Sequence, residues 1–362
     1  MKRRHFVGSA GALVAAGAVA APAVAQSMPE IRWRLTSSFP KSLDTLYGLT
    51  ELFVKRVAEI TDNRFQIQPF AAGEIVPGLQ ALDAVASGAV ECAHSAPYYY
   101  VGKDPTFTFG SALPFGMNPR QQNAWFIDGG NDLMNEFYRD YGIFAIACGN
   151  TGTQMGGWFR KEIRTLADFK GLKFRIAGLA GAILARIGVV PQQIAGGDLY
   201  PALEKGTIDA AEWVGPYDDL KLGLHKVAPY YYYPGWWEGG AQLAAMINIA
   251  KWDSLPKHYK AAFQAASFEA GTWMQARYDA QNPVALRTLV AQGTHLRPFP
   301  QDMMEAAYRE ANAYYAEIAA GNPKFKKVLD HYVAFRNEEY LWFQVAEYTF
   351  DSFMIRMRAR PN

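Results

Sequence analysis

The stretch KGTIDAAEWVGPYDD, from Lys205 to Asp219, holds a short alternating segment and the signal that ends it. The alternation up to Trp213 predicts a strand, and Gly215-Pro216 then predicts a turn away from it. Glu212 is therefore expected at the carboxyl end of a strand. In open α/β sheets ligands bind outside these strand ends, so Glu212 can face a cleft while its neighbours serve the core.

Strand and helix patterns alternate on both sides of this stretch. Strand patterns cover residues 31–39, 65–70, 90–96 and 143–150, and helical patterns cover residues 45–61, 79–88, 179–188 and 198–206. The alternation starts over after residue 150, which predicts an α/β protein of two lobes. Beyond residue 250 the patterns become long and helical, with interruptions near Asn282-Pro283 and Asn322-Pro323. With 50% apolar residues, the chain is large enough for two cores.

The first 25 residues predict an export signal. They combine a cationic start, an apolar run from about Gly11 to Ala21, and an A-x-A cleavage site that ends at Ala25. Arg3-Arg4 favours the twin-arginine route over the general secretory route. An uncleaved membrane anchor is the alternative, but the apolar run is shorter than the ~20 residues of a spanning helix. We therefore expect a periplasmic protein.

Charge and cysteine content narrow the class of protein. Cleavage removes three basic residues and leaves 33 basic against 34 acidic ones. A nearly neutral chain gives no support for nucleic-acid binding, which requires a clustered basic face. Cys92 and Cys148 lie in apolar, strand-like stretches. An oxidising compartment would permit a bridge between them, but the pattern favours two free, buried thiols.

Polar residues follow several of the predicted strands. Asn150 and Gln154 come at and after the end of the strand at 143–150, Arg175 ends the stretch KFR, and Glu212 ends the strand described above. Because these strand ends come from separate segments, we expect them to converge on one cleft. The planar guanidinium of Arg175 suits two-pronged capture of a carboxylate, although a surface position on an edge strand fits the pattern equally well.

Glu238 stands among the aromatic residues of the segment YYYYPGWWEGG, at 230–240. By default such aromatic residues belong to a core or an interface. A carboxylate among them is either exposed or, when buried, in need of a partner such as a cation. Glu212 and Glu238 could also form the acid and base of a secreted glycoside hydrolase. The chain contains none of the G-x-S-x-G, H-E-x-x-H or C-x-x-C motifs.

Four longer segments together resemble a known family. They look like the extracytoplasmic solute receptors of tripartite ATP-independent periplasmic (TRAP) transporters, in the DctP-like branch that binds 2-oxo and 2-hydroxy monocarboxylates with a metal ion. The resemblance covers nearly the whole mature chain and implies binding without enzymatic turnover. It rests on FAAGEIVPGLQALDAVASGAVECAHSAPYYY at 70–100, GNTGTQMGGWFRKEIRTLADFKGLKFRIAG at 149–178, PQQIAGGDLYPALEKGTIDAAEWVGPYDD at 191–219 and YYYYPGWWEGG at 230–240.

The resemblance implies a type II-like periplasmic-binding-protein fold whose two lobes close on the ligand. Lobe I is expected at 28–150 with a returning segment at about 240–290, and lobe II at 151–239 with a returning segment at about 291–330. Residues 331–362 are expected to form a C-terminal helix that wraps a second subunit, which predicts a homodimer. The closed form would pass its solute to a membrane permease. A sensory binding protein that presents its liganded state to a receptor is the remaining interpretation.

The same resemblance assigns roles to individual residues. Arg175 is expected to pair with the carboxylate of the solute. Trp213 would give its backbone carbonyl to the ion and its ring to the wall of the pocket. The residues expected at the metal ion are Gln154, Glu212, Trp213 and Glu238. The residues expected around the acid are Arg175, Gln154, Trp213, Glu238, Asn150 and Tyr98. Tyr99 or Tyr100 is the alternative to Tyr98.

The choice of ion follows from charge. Glu212, Glu238 and a monocarboxylate bring three negative charges against the one positive charge of Arg175, and calcium neutralises the remaining two whereas sodium does not. Calcium also accepts about 6 to 8 oxygens, a number that this set can reach. Some relatives with a neutral residue in place of Glu238 take sodium, and zinc is disfavoured because the set contains no His or Cys. We therefore expect calcium together with pyruvate, lactate or a longer 2-oxo acid.

Overall fold

The structure is a computed structural model that describes residues 28–358. The export signal predicted at 1–25 lies outside the described residues. The strands are β1 Ile31–Ser37, β2 Phe65–Phe70, β3 Cys92–Ser95, β4 Ile143–Asn150, β5 Gly157–Phe159, β6 Lys173–Arg175, β7 Val190–Gln192, β8 Ala210–Ala211, β9 Tyr230–Tyr233, β10 Gln242–Asn248 and β11 His295–Pro298. The α-helices are α1 Leu46–Ile60, α2 Ala81–Ala86, α3 Pro119–Trp125, α4 Asn131–Tyr138, α5 Ala180–Arg186, α6 Leu199–Glu204, α7 Pro216–Leu222, α8 Ile249–Ser254, α9 Lys257–Ala291, α10 Gln301–Gly321, α11 Pro323–Phe343 and α12 Thr349–Arg358.

The strands form two sheets, and we call each sheet with its packed helices a lobe. Lobe I has the strand order β2-β1-β3-β10-β4, and lobe II has the order β11-β9-β5-β8-β6-β7. In lobe I β10 runs antiparallel to β3 and β4, and in lobe II β5 runs antiparallel to β8 and β9. These two mixed sheets with many helices confirm the predicted α/β class and its two-lobed form. The residue boundaries given above for each lobe stay predictions.

Local sequence patterns account for the elements of lobe I. In α1 the buried residues include Leu46, Leu49, Phe53 and Val57, whose spacing of three to four places them on one face of the helix. In β2 buried and exposed residues alternate from Phe65, as expected for a strand with one face against a helix. The predicted elements at 31–39, 45–61, 65–70 and 143–150 are thereby confirmed to within two residues at each end.

Two crossing segments connect the lobes side by side. The first, residues 151–156, runs from β4 to β5, and the second, residues 234–241, returns from β9 to β10. They are hydrogen-bonded to each other, because the Gln154 amide donates to the Glu238 carbonyl at 3.2 Å and the Gly235 amide donates to the Gln154 carbonyl at 3.1 Å. This pairing fixes both segments at the bottom of the cleft between the sheets.

Helix α9 spans both lobes and corrects one expectation. The sequence predicted an interruption at Asn282-Pro283, but the helix is continuous through Pro283. Tyr278 and Ala285 are buried on either side of the proline, so packing compensates for the missing backbone hydrogen bond. The interruption predicted at Asn322-Pro323 is confirmed, since α10 ends at Gly321 and Asn322 caps the next helix.

The apolar side chains form two buried clusters, and each cluster draws on both sheets. One contains Trp33 of lobe I and Trp158 of lobe II, and the other contains Trp125 and Phe159. The two cysteines are free and fully buried, as expected. Burial raises the pKa of the Cys148 thiol to about 12, so it is an unreactive core residue.

The C-terminal helices carry an exposed apolar surface. Helix α11 continues through a π-helical turn at Gln344–Tyr348 into α12, and this arm begins eight residues before the predicted position 331. Many large apolar side chains along it are half exposed or more. Within residues 28–358, no helix combines the length and apolarity needed to cross a membrane.

Candidate functional site

Two strand ends of lobe II bring Arg175 and Glu212 together. Strands β6 and β8 are parallel neighbours, so their carboxyl ends meet at the same edge of the sheet. The Arg175 Nη1 group lies 3.0 Å from Glu212 Oε2 and also donates to the Glu212 carbonyl, while Nε donates to the Ile194 carbonyl at 3.0 Å. Both charged side chains are buried, with exposures of 1% and 0%. The alternative of a surface arginine on an edge strand is therefore wrong.

Glu238 adds a second buried carboxylate from the crossing segment at 234–241. Burial raises its pKa to about 8, and Arg175, Tyr98 and Gln154 lower it only in part. Burial also raises the pKa of Glu212 well above its ordinary value, with a further contribution from the charge of Glu238. Two buried carboxylates thus lie near one arginine, which leaves the cluster short of positive charge.

The side chain of Gln154 is held with its amide oxygen free of donors. Its Nε2 group donates to Thr151 Oγ1 at 2.9 Å, and this hydroxyl donates in turn to the Gly152 carbonyl. A hydrogen-bond network of this kind decides which end of an amide is the oxygen. In this cluster, four buried oxygens have no hydrogen-bond donor: Gln154 Oε1, Glu212 Oε1 and both carboxylate oxygens of Glu238.

These four oxygens suit a hard cation such as calcium, sodium or magnesium, which takes oxygen ligands. Tyr98 and Gln154 lie near enough to affect Glu238, yet neither completes a hydrogen bond to it. No group of three or more His, Cys, Asp or Glu side chains with the geometry of a metal site occurs within the described residues. A cation here would take its other ligands from amide, backbone or solute oxygens.

A narrow cavity lies beside this cluster, and the centre of a water molecule can reach only about 10 Å³ of it. The guanidinium of Arg175 lies 5.0 Å from the ring centroid of Trp213, which forms part of its wall. Gly196 lets the indole approach, because a Cβ atom there would lie 2.3 Å from the ring. The lining residues are Phe39, Leu46, Tyr98, Tyr99, Thr151, Gln154, Arg175, Trp213, Val214, Ala241 and Leu243.

Most of the site residues predicted from sequence meet at this cavity. Gln154, Arg175, Trp213, Tyr98 and Tyr99 line it, and the two glutamates adjoin it through Arg175 and Tyr98.

The other two predicted solute contacts do not reach the cavity. The Tyr100 hydroxyl contacts Ser95 Oγ at 2.9 Å and accepts from the Leu82 amide at 3.1 Å. Asn150 donates to Gln242 at 3.2 Å and lines a separate groove under α9.

Thr151 and the apolar lining residues were missed by sequence reasoning. The sequence indicated the end of β4 correctly, but it pointed to Asn150, and the residue that lines the cavity is its neighbour Thr151. Phe39, Leu46 and Leu243 carry no motif, and ordinary core residues look the same in a sequence.

Asp218 and Asp219, in the quoted stretch, were also missed. Both are buried in the first turn of α7. Asp219 accepts from Trp158 Nε1 at 2.9 Å and Tyr231 at 2.7 Å, and Asp218 accepts from Tyr278 at 2.7 Å. Burial raises the pKa of Asp218 to about 7 and that of Asp219 to about 6. They anchor the loop that follows Glu212 to the sheet and to α9.

A second charged cluster joins the lobes at the surface. Asp44, between β1 and α1, forms ion pairs with Lys221 of α7 and, at 2.8 Å, with Arg277 of α9. The Tyr217 hydroxyl lies 3.1 Å from the same carboxylate. We call these four residues the Asp44 cluster. Its charged side chains are between 29% and 45% exposed.

Comparison with known proteins gives consistent matches. Residues 36–322 match the model of bacterial extracellular solute-binding protein family 7. A monocarboxylate 2-oxoacid-binding periplasmic protein from Nostoc sp. is 47% identical over 360 residues, which cover 98% of this chain and 99% of that protein.

Two similar crystal structures hold a cation and a small acid. A TRAP transporter solute-binding protein from Bordetella bronchiseptica is 50% identical, with a TM-score of 0.90, covering 92% of this chain and 99% of that one. It is a mixed-occupancy dimer, with copurified calcium and picolinate in one active site and an apo second site. A protein of the same class from Pseudoalteromonas atlantica, bound to sodium and pyruvate, is 39% identical with a TM-score of 0.87, covering 89% and 99% of the two chains.

Proposed function

The chain belongs to bacterial extracellular solute-binding protein family 7, the solute receptors of TRAP transporters, and from this we propose that it binds a 2-oxo or 2-hydroxy monocarboxylate together with a cation. The observation that carries this proposal is the group of four buried oxygens without donors beside one buried arginine. Members of this family are transport proteins and not enzymes, which removes the hydrolase alternative.

Arg175 holds the carboxylate of the solute. Its Nη1 and Nε groups are engaged by Glu212 and Ile194, while Nη2 makes none of these bonds and the side chain lines the cavity. A guanidinium already fixed on two sides loses little freedom when it binds, which favours affinity. The 2-oxo or 2-hydroxy oxygen completes a chelate with the cation held by Gln154, Glu212, Trp213 and Glu238, and so distinguishes these solutes from simple fatty acids.

The cation is calcium rather than sodium. Two carboxylates and a solute carboxylate against one arginine leave two negative charges, and burial, which raises the pKa of both glutamates, makes each of these charges costly without a cation. Related structures contain either ion, so relatives alone do not select one. Glu238 is the residue that we expect to decide the choice, because a neutral side chain there would leave only one charge for the ion to balance.

The protein works in the periplasm, as a homodimer that delivers its solute to a membrane permease. An exposed apolar surface of this extent calls for a partner, and it consists of Tyr340, Leu341, Trp342, Val345, Tyr348, Phe350, Phe353, Met354, Ile355 and Met357. Sedimentation should give a dimer that Trp342→Glu dissociates and that Ile60→Asp, on the outer end of α1, leaves intact. A monomer in the unaltered protein would contradict this assembly.

Thermal unfolding of chelator-treated mature protein tests the binding proposal. Pyruvate, lactate and longer 2-oxo acids are added with sodium only and with calcium, since a ligand specific to the folded state raises the unfolding midpoint. We expect a rise that requires both calcium and a 2-substituted acid. No shift with any acid under either ion, in folded protein freed of endogenous ligand, would contradict the proposal.

A further inference from the structure

The backbone on either side of Trp213 is held by neighbouring segments. The Glu212 amide donates to the Arg175 carbonyl at 3.0 Å, and the Glu212 carbonyl accepts from the guanidinium of the same arginine. The Val214 carbonyl accepts from the Met155 amide of the crossing segment at 3.1 Å. The Trp213 carbonyl between them accepts none of the hydrogen bonds made within residues 28–358. This oxygen is therefore left for a ligand.

Asp219 holds the other end of the same peptide group. Its Oδ1 accepts from the Val214 amide at 3.4 Å, and its Oδ2 accepts from Trp158 of β5 at 2.9 Å and from Tyr231 of β9 at 2.7 Å. Asp219 is 1% exposed, and a side chain that only accepts hydrogen bonds has the pattern of an ionised carboxylate. The Trp158 and Tyr231 rings stack at a centroid distance of 3.9 Å, so Asp219 is held on a rigid part of the sheet.

The peptide group between Trp213 and Val214 links Asp219 to the carbonyl. The peptide bond is trans, so its N–H and C=O bonds point in opposite directions within one plane. Asp219 on the amide side therefore fixes this plane and turns the Trp213 carbonyl away from itself. A carboxylate on the N–H group also polarises the peptide, which makes the carbonyl oxygen more negative. Both effects favour a carbonyl that binds a cation.

Resting on the proposed function, in which the Trp213 carbonyl is a cation ligand, we propose that Asp219 is the positioning residue for this ligand. Asp219 does not line the cavity and acts through the Trp213–Val214 peptide. A carboxylate behind a metal ligand is common, and its removal typically lowers metal affinity by about 10- to 100-fold. Asp218, its neighbour in α7, is equally buried but accepts from Tyr278 of α9, so it does not position the carbonyl.

Isothermal titration of calcium into the full mature protein, with pyruvate in excess, tests this role. For Asp219→Asn, which keeps the shape of the side chain, we expect calcium affinity to fall at least about tenfold. Asp218→Asn is the matched control, since it removes an equally buried carboxylate from the same turn of α7. It should lower calcium affinity by less than about threefold, because no metal ligand depends on it. Denaturant titration of both metal-free variants separates a loss of overall stability from a loss of cation binding.

Nuclear magnetic resonance can observe this peptide group alone, because Trp213-Val214 is the one Trp-Val pair in the chain. Tryptophan labelled with ¹³C at its carbonyl and valine labelled with ¹⁵N give a single correlation. In the unaltered protein we expect a downfield amide proton, as for a hydrogen bond to a carboxylate, and a carbonyl resonance that shifts when calcium and pyruvate bind. In metal-free protein Asp219→Asn should move the amide proton upfield, and Asp218→Asn should leave it in place.

Several outcomes would overturn the role of Asp219. Equal calcium affinities in Asp219→Asn and Asp218→Asn would do so, as would an amide proton that Asp219→Asn leaves unmoved. A carbonyl resonance that stays fixed while the unaltered protein binds calcium and pyruvate would also do so, without the need for any variant, because Trp213 would then not be a ligand. Failure of the unaltered protein to bind calcium and pyruvate would instead contradict the proposed function.

Discussion

The buried cluster of Arg175, Glu212 and Glu238 and the exposed Asp44 cluster are built from similar side chains in opposite proportions. The buried cluster has two carboxylates and one cation, and its carboxylate pKa values are raised. The exposed cluster has one carboxylate and two cations, and the pKa of Asp44 is lowered by Lys221, Tyr217 and Arg277 despite partial burial. One cluster needs a further positive charge, whereas the other is complete.

The difference teaches that burial decides what a charged cluster can do. In the buried cluster the side chains are almost fully shielded from solvent, so each charge affects its neighbours strongly. At the surface, solvent screens the same charges, and an ion pair contributes at most about 1 kcal/mol. This contrast supports the proposal that the buried cluster binds the solute and the cation, and we expect only a modest contribution to lobe closure from the Asp44 cluster.

The largest expected effect comes from Arg175→Ala. The substitution removes the guanidinium and leaves two carboxylates without their positive partner. We expect the affinity for a 2-oxo acid to fall at least about 100-fold. Arg277→Ala removes an arginine from the exposed cluster and should lower the affinity for the same acid by less than about tenfold. Titration calorimetry on both folded variants measures the contrast, and equal losses would erase the distinction between the clusters.

Glu238→Gln should change the preferred ion. The substitution keeps the shape of the side chain and removes one negative charge, so we expect calcium affinity to fall at least about tenfold while sodium supports solute binding. Thermal shift with pyruvate in each ion measures this. Unchanged dependence on calcium would exclude Glu238 from the cation site.

The pH dependence of stability should differ in sign between the clusters. In metal-free protein the folded state keeps a proton on Glu238 up to about pH 8, whereas an unfolded glutamate releases it near pH 4.5. The folded state binds more protons across this window, so the free energy of unfolding falls as pH rises through it. Glu238→Gln should flatten this fall, and denaturant titrations at several pH values would show whether it does.

Asp44 contributes in the opposite sense. Because its folded pKa is lowered, its stabilising effect is present above the ordinary pKa of aspartate and is lost as pH falls through the folded value.

The smallest expected effect is that of Asp44→Asn. Its side chain is 45% exposed, so solvent screening limits the loss of unfolding free energy to about 1 kcal/mol or less. The loss should shrink further in 1 M potassium chloride, since salt screens surface charges. A larger loss that is insensitive to salt would show that this cluster behaves like the buried one.

Local patterns predicted many of the helices and strands. Helix α1 was expected close to its observed ends because it carries the helical period over its fifteen residues, and β4 because it is a continuous apolar run between glycines. Strand β5 has only three residues, too few to show a period, and β8 keeps only two residues of the alternating stretch that predicted it. Their pairing depends on neighbours that are distant in sequence.

For the site, the sequence predicted which strand ends contribute, but not which residue at each end faces the cavity. Adjacent residues of an extended chain point to opposite sides, so Thr151 faces the cavity and Asn150 faces the groove under α9. In the 3-10 turn at Pro97–Tyr100 successive side chains diverge by about a third of a turn, so Tyr98 and Tyr99 reach the cavity while Tyr100 does not.

The sequence by itself determined the two-lobed α/β plan and placed Arg175 and Glu212 at strand ends, because these follow from local periodicity and chain breaks. The tertiary structure alone decided that both side chains are buried together with Glu238, and that Phe39, Leu46 and Leu243 line the cavity beside them. Burial and charge balance arise from contacts between residues far apart in the chain, and no local pattern records which segments will meet.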